Sequence, residues 1–323
     1  MGDDWGGHKR AALVYNPIKV DKRLLRANVV HWSKRSGWRH PLFFETTVDD
    51  LGDGVARQAL DEEVDVVLVA GGDGTVRAVA GAVAGSEVPL AIVPSGTGNL
   101  FARNLGIPLD PELMVAAAFG ENITKTDVGL ARITREGGDV EEHAFVVMAG
   151  IGLDAAMIAN TRPQLKKHMG WVAYVDGAAR ALPGAKPFRV IYSLDESRLH
   201  TTRVQSVLFA NCGQLPAGIA LIPDASLDDG LLDIMVIQPT GWFGWLGVWR
   251  KVWWDNSVLR RFRAGRRVLE RRGRNTSIHY LRGGSMEIAT TPPQPIELDG
   301  DEFGDGQSLT CSVRPGALLT IMP

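Results

Sequence analysis

Gly71-Gly72-Asp73-Gly74-Thr75 follows the apolar run Val67-Leu-Val-Ala70, and an amphipathic stretch begins at Val76. Glycine lets a backbone approach a ligand closely. The amides of such a loop, with the start of a following helix, suit an anionic phosphate. Thr75 adds a hydroxyl. Asp73 would repel a bare phosphate, so it points to magnesium or to a hydroxyl awaiting activation. A strand, this loop and a helix therefore read as a nucleotide–magnesium site, against the plainer reading of a tight turn that uses glycine for sterics. A second loop of the same character, Ser95-Gly96-Thr97-Gly98, follows the apolar run Leu90 to Val93.

Two acidic segments come later. Glu297-Leu-Asp299-Gly300-Asp301-Glu302 carries four carboxylates in six residues. Clustered acids raise one another's pKa and can supply a general base or metal ligands. Asp-Gly is also a favoured hairpin dipeptide, so a solvated turn is the alternative. Ala225 to Asp233 combines acids with Gly230 and reads either as a hard-cation site or as an inter-strand turn.

Five of the nine tryptophans lie between Trp242 and Trp254. Trp242, Trp245 and Trp249 have helical spacing, and arginines follow as far as Arg274. Tryptophan beside basic residues suits a lipid–water interface. A helix packed on the protein's own core and an RNA-contacting face are the competing readings.

Elements must position these groups. Candidate strands at Ala11–Tyr15, Leu42–Thr46, Val64–Ala70 and Leu90–Val93 alternate with helices at 21–35, 54–60 and 76–84, and another starts near Asn99. That rhythm predicts a parallel sheet flanked by helices. Ligands of such sheets sit beyond the carboxyl ends of the strands. Asn16, Thr46 and both glycine loops fall at that edge. After residue 121 the rhythm changes to strands at Thr126–Ile133, Ala144–Ala149, Phe188–Leu194, Val204–Asn211, Leu232–Ile237, Ser277–Leu281, Ser285–Thr290 and Leu309–Val313. The expected fold class is α/β plus β: a nucleotide-binding α/β domain over 1–125, then an antiparallel β-sandwich over 126–323 with inserted helices at 155–160 and 165–181. The extreme C-terminus is expected to pack back on the first domain.

Composition narrows the function classes. A net charge of −2 gives no global attraction to nucleic acid or anionic membrane. Two cysteines, Cys212 and Cys311, fit a reducing cytosol rather than a disulfide framework. Residues 1–10 lack the apolar run of a signal peptide, and no stretch is apolar enough to span a bilayer. The histidines lack metal-ligand spacing.

The ordered motifs resemble the diacylglycerol kinase catalytic-domain family, which includes bacterial lipid kinases and sphingosine kinases. The resemblance covers almost the whole chain. It rests on Asn16-Pro17, Thr46, Gly71 to Thr75, Pro94 to Asn99, Gly150 to Ala155, Pro223 to Asp233 and Leu298 to Asp301. It implies ATP held by Asn16, Thr46, the Gly71, Gly72, Asp73, Gly74 and Thr75 loop, and the Ser95, Gly96 and Thr97 loop. It implies a structural magnesium ion near Asp229, with Ser226 and Leu231 contributing backbone. The catalytic base falls in the family's Asp-Gly-Glu motif, here Asp299-Gly300-Asp301. Three departures stand out. Arg77-Ala78 replaces a frequent Asn-Glu, Asp301 replaces the final glutamate, and Ile18-Lys19 replaces small residues.

The expected activity is ATP-dependent phosphorylation of a lipid hydroxyl, with diacylglycerol foremost, by Asp73 and an acid among Asp299, Asp301 and Glu302. The expected setting is cytoplasmic, peripheral on the inner face of the membrane through Trp242, Trp245 and Trp249. The partner is a lipid rather than nucleic acid, and a homodimer is compatible. The rivals are a soluble NAD kinase and a catalytically inactive protein that binds nucleotide and lipid.

Overall fold

Four apolar runs form a parallel sheet: β1 (Ala11–Tyr15), β2 (Leu42–Glu45), β3 (Val66–Gly71) and β4 (Leu90–Pro94). They are described from a computed structural model, in which the structure describes residues 7–152, 187–215, 219–220, 222, 225–238 and 278–323. The strand order is β4-β3-β1-β2. Strands β1, β3 and β4 are buried throughout, while β2 at the edge is not. That explains why the inner strands are almost purely apolar instead of alternating.

Side chains leave the strands alternately to the two faces. Ala12, Val14, Val67, Val69 and Ile92 pack with α2 (Asp53–Asp61), α3 (Asp73–Val83) and α4 (Leu100–Asn104) on one face. Leu13, Tyr15, Leu68, Ala70 and Val93 pack on the other with α1 (Lys22–Arg35) and α5 (Pro111–Ala117). Asp21 caps α1, accepting from the amides of Arg23 at 3.0 Å and Leu24 at 3.1 Å. Helix α5 was not expected, although Asp110 caps it and Pro111 opens it, an ordinary helix-start signal.

The remaining described strands are β5 (Ile123–Thr134), β6 (Val140–Phe145), β7 (Met148–Gly152), β8 (Phe188–Leu194), β9 (His200–Val204), β10 (Ser206–Ala210), β11 (Gln214–Leu215), β12 (Ile219–Ala220), β13 (Leu232–Ile237), β14 (Ile278–Gly283), β15 (Ser285–Leu298) and β16 (Asp301–Ile321). β11 and β12 pair only with each other; the others pair antiparallel around a core that includes Ile133, Phe145, Ile151, Val190, Phe209, Ile234, Ile288 and Leu309. The last strand also joins the first sheet, because Thr320 of β16 pairs in parallel with Leu90 of β4.

Among the boundaries that differ from expectation, three have their reason in hydrogen bonding and register. The expected strand at 144–149 is split into β6 and β7, because the amides of Val146, Val147 and Met148 bond the Asp299 side chain. Strand β15 runs on past Thr290 through Pro292, Pro293 and Pro295, which sit beside register shifts that absorb them. Strand β16 is likewise longer than Leu309–Val313 and breaks register between Arg314 and Leu318. The helices expected at 155–160 and 165–181, and the segment Trp242 to Trp254, lie outside the described residues.

Candidate active site

The first sheet reverses its direction of growth between β1 and β3. Such a switch point opens a crevice beyond the strand ends, where ligands of open α/β sheets bind. The register keeps those ends level: Tyr15 is paired with Ala70 and with Glu45, and Gly71 with Pro94. Asn16, Thr46, the Gly71–Thr75 loop and the Ser95–Gly98 loop therefore share one rim. Asn16 accepts the Ile18 amide at 3.0 Å, which shapes its own turn. Thr46 is buried, and its amide bonds the Tyr15 carbonyl at 2.9 Å.

The second loop is closed by a residue that motif reading had not assigned a role. Asn99 has a φ of +47°. Its side chain accepts the Gly96 amide at 2.9 Å and donates to the Gly96 carbonyl at 2.8 Å. Ser95 donates to the Val93 carbonyl at 3.0 Å, and Thr97 is left exposed at the tip.

Helix α3 starts earlier than its apolar pattern suggests. Gly72 is its N-cap, so Asp73, Gly74 and Thr75 form the first turn. The first amides of a helix have no intrahelical partner, which makes this turn an anion-binding edge. The Asp73 carboxylate reaches across to the other loop, where the Leu100 amide donates to Oδ1 at 2.6 Å. Burial raises the Asp73 pKa, and the Asp301 charge adds to the rise against the pull of the amides. A Cβ on Gly98 would lie 2.5 Å from Asp73 Oδ2. The two loops are thus joined through one carboxylate.

The second half of the chain brings Asp301 to the same rim. Asp299 and Gly300 have φ of +50° and +91°, the signature of a tight hairpin turn, and Leu298 pairs with Asp301 across it. The turn reading and the site reading of this segment are both correct. The hairpin sets Asp301 over the start of α3, where Oδ2 would lie 2.6 Å from a Cβ on Gly74. Arg77 Nη2 donates to the same oxygen at 3.1 Å.

Asp299 points elsewhere. It is buried and accepts from the amides of Val146 and Val147 at 2.8 Å and Met148 at 2.9 Å. Burial pushes its carboxyl up to about 6, against the amides and Arg77, which pull it down. Its geometry braces the hairpin onto the β6–β7 link. Glu302 is exposed and pairs across the hairpin with Glu297, whose side chain accepts the Gly300 amide.

Ser226, Asp229 and Leu231 are not gathered around a cation. Ser226 donates to Asp228 at 2.5 Å, and the Leu231 amide donates to Asp229 Oδ1 at 3.0 Å. Asp229 Oδ2 is ion-paired with Arg282, whose Nε lies 3.5 Å from Asp233. In this arrangement the guanidinium supplies the positive charge beside Asp229. Among the described residues, no three His, Cys, Asp or Glu side chains form a metal-holding group. Trp242, Trp245 and Trp249 lie outside the described residues. Among the described residues, no helix is long and apolar enough to cross a membrane.

A parallel sheet with paired glycine loops, closed by a β-sandwich that returns an acid to the same rim, is a kinase fold. A diacylglycerol kinase structure from Bacillus anthracis superposes with a TM-score of 0.64 at 21% identity, covering 98% of this chain and 97% of that one. An Archaeoglobus fulgidus NAD kinase in complex with ATP superposes at 0.51 with 12% identity, covering 97% and 93%, a likeness of fold.

The chain belongs to the diacylglycerol kinase catalytic-domain family of lipid kinases. Residues 10–131 match the diacylglycerol kinase catalytic domain, and residues 145–322 match the YegS C-terminal NAD kinase beta sandwich-like domain. A Pseudomonas aeruginosa protein named "Probable lipid kinase YegS-like" is 31% identical over 84% of this chain and 82% of its own length. A Bacillus subtilis diacylglycerol kinase is 28% identical over 71% of this chain and 74% of its own. A kinase of this family uses ATP as phosphoryl donor.

Proposed function

We propose that this chain transfers the γ-phosphoryl group of ATP to the free hydroxyl of diacylglycerol, giving phosphatidic acid and ADP. The observation that carries this reading is Asp301, an acid from the β-sandwich set against the first turn of α3. The name of the Bacillus subtilis relative supports diacylglycerol as the acceptor.

The α3 amides and the Ser95–Gly98 loop bind and orient the phosphates. Phosphoryl transfer depends mostly on such positioning and on charge stabilisation. Asp73 fits a magnesium ion carried in with the nucleotide, because it is an acid held between two phosphate loops, its pKa raised by burial with a smaller push from the Asp301 charge. When bound, that ion neutralises phosphate charge. Asp301 is half exposed, so an acceptor hydroxyl can reach it. It takes the hydroxyl proton as the oxygen–phosphorus bond forms. Asp299 keeps the hairpin in place. The tryptophan- and arginine-rich segment 242–274 supports peripheral attachment to the membrane face where the acceptor resides.

The test is γ-labelled ATP offered to the purified chain with mixed micelles of diacylglycerol, a sphingoid base or phosphatidylglycerol, and separately with NAD. Label in phosphatidic acid is the expected result. Label in another lipid replaces the acceptor. Label in NAD alone, or ATP binding without any labelled product, overturns the proposal.

A further inference from the structure

Arg77 occupies an unusual position for a charged residue. It lies on α3 one turn beyond Asp73, and its side chain is only 7% exposed. Asp301, its ion-pair partner, is 49% exposed. The guanidinium carbon lies 4.7 Å from the ring centre of Phe303. Its Nε has no hydrogen-bond partner among the described residues. Burying a guanidinium costs several kcal/mol unless it is paired, so a side chain here must be held by something. Asp301 and Phe303 are two apart on β16 and share a face. Both grip the same group, one through charge and the other through its ring.

We infer that Arg77 is a positioning residue for the phosphoryl transfer proposed above: with Phe303 it fixes the Asp301 carboxylate over the start of α3. The role rests on the lipid-kinase reading. An aspartate carboxylate at a half-open rim can rotate toward water, and the single hydrogen bond from the buried Arg77 Nη2 to Oδ2 restricts that freedom. The same cation acts on both acids of the hairpin, bonding Asp301 and favouring the charged form of Asp299 through its field. It is buried, with its charge turned to Asp301 and not to the open rim. Its removal is therefore expected to act on turnover and not on ATP affinity.

The experiment measures kcat and the KM for ATP in Arg77→Met, Arg77→Lys, Asp301→Asn and the Arg77→Met/Asp301→Asn double variant, with diacylglycerol micelles. Arg77→Met is expected to lower kcat about 10- to 100-fold, within the roughly 10²- to 10⁴-fold a general base supplies. The KM for ATP should stay within about threefold, and Arg77→Lys should recover part of the loss. In the Asp301→Asn background, Arg77→Met should add less than about twofold, because coupled residues are not additive. Near-normal kcat in Arg77→Met, an equal loss in both backgrounds, or a rise in KM with kcat intact each overturns the role. Should Arg77→Met not fold, Phe303→Leu replaces it, with about a fivefold fall in kcat expected from loosening the grip and an unchanged kcat overturning it. A wild-type chain that labels no lipid defeats the kinase reading itself; a wild-type that labels lipid while Arg77→Met does so equally well defeats this inference alone.

Discussion

The Asp301 carboxylate rests against the backbone of Gly74, with Oδ2 only 2.6 Å from where a Cβ would stand. One residue lies in the first turn of α3 and the other opens β16, so the two halves of the chain meet at a point with no room for a methyl group unless the carboxylate moves. Gly74 is required for space and not for a positive φ.

Gly74→Ala separates these effects. Alanine in a helical turn is worth up to about 1 kcal/mol over glycine, so the melting temperature should hold or rise. The carboxylate must move aside, and kcat should fall about tenfold through the loss of positioning. Lipid phosphorylation with a parallel thermal melt checks both. Full activity would mean that Asp301 needs no fixed place.

Asp73→Asn should abolish phosphorylation while leaving the fold intact, with a loss of about 10³-fold or more. The amide oxygen can still accept from Leu100, so the link between the loops survives. The sign of its effect on stability follows from the raised Asp73 pKa. A raised acid favours the folded state below its unfolded pKa and loses that benefit as it ionises. At neutral pH the ionised group is therefore a cost, and the asparagine variant should melt at the same temperature or higher. A variant that melts lower and turns over normally would remove Asp73 from the chemistry.

Asp299 predicts a pH dependence. Its carboxyl stands at about 6, against an ordinary 3.8. Its stabilising contribution is complete below pH 3.8 and is lost as pH rises through 6, a swing of about 3 kcal/mol. Asp299→Asn removes this swing but turns an NH₂ group toward amides that also donate. The variant should be less stable than wild type, with its deficit largest near pH 4 and shrinking toward pH 7. Urea unfolding across that range measures it, and a deficit that grows toward neutrality would contradict the assignment.

Trp242→Ala with Trp245→Ala should weaken sedimentation with anionic liposomes by about tenfold, since each interfacial aromatic buries substantial apolar surface. Unchanged sedimentation combined with a lower melting temperature would assign these tryptophans to core packing.

The parallel sheet and both glycine loops were legible in the chain because their signals are local. Four apolar runs, each followed by turn residues, mark strand ends, and a strand end in such a sheet is already a place at the ligand rim. The hairpin at Asp299-Gly300 was legible for the same reason, since the dipeptide carries its own turn geometry. The lengths of β15 and β16 were not, because prolines and glycines that usually break a strand are absorbed by register shifts against partners distant in sequence.

The order of residues by itself determined which groups stand at the rim, because turn chemistry and strand ends depend only on near neighbours. Tertiary structure alone decided how the acids divide their work. Asp299 and Asp301 are two positions apart, yet one is spent on three backbone amides and the other faces α3. Arg77 read only as a departure from a motif until β16 laid Asp301 and Phe303 against it. Asp229 holds Arg282, which arrives from β14, a pairing no local pattern signals. A carboxylate's role is set by what neutralises it, and those partners come from elements far along the chain.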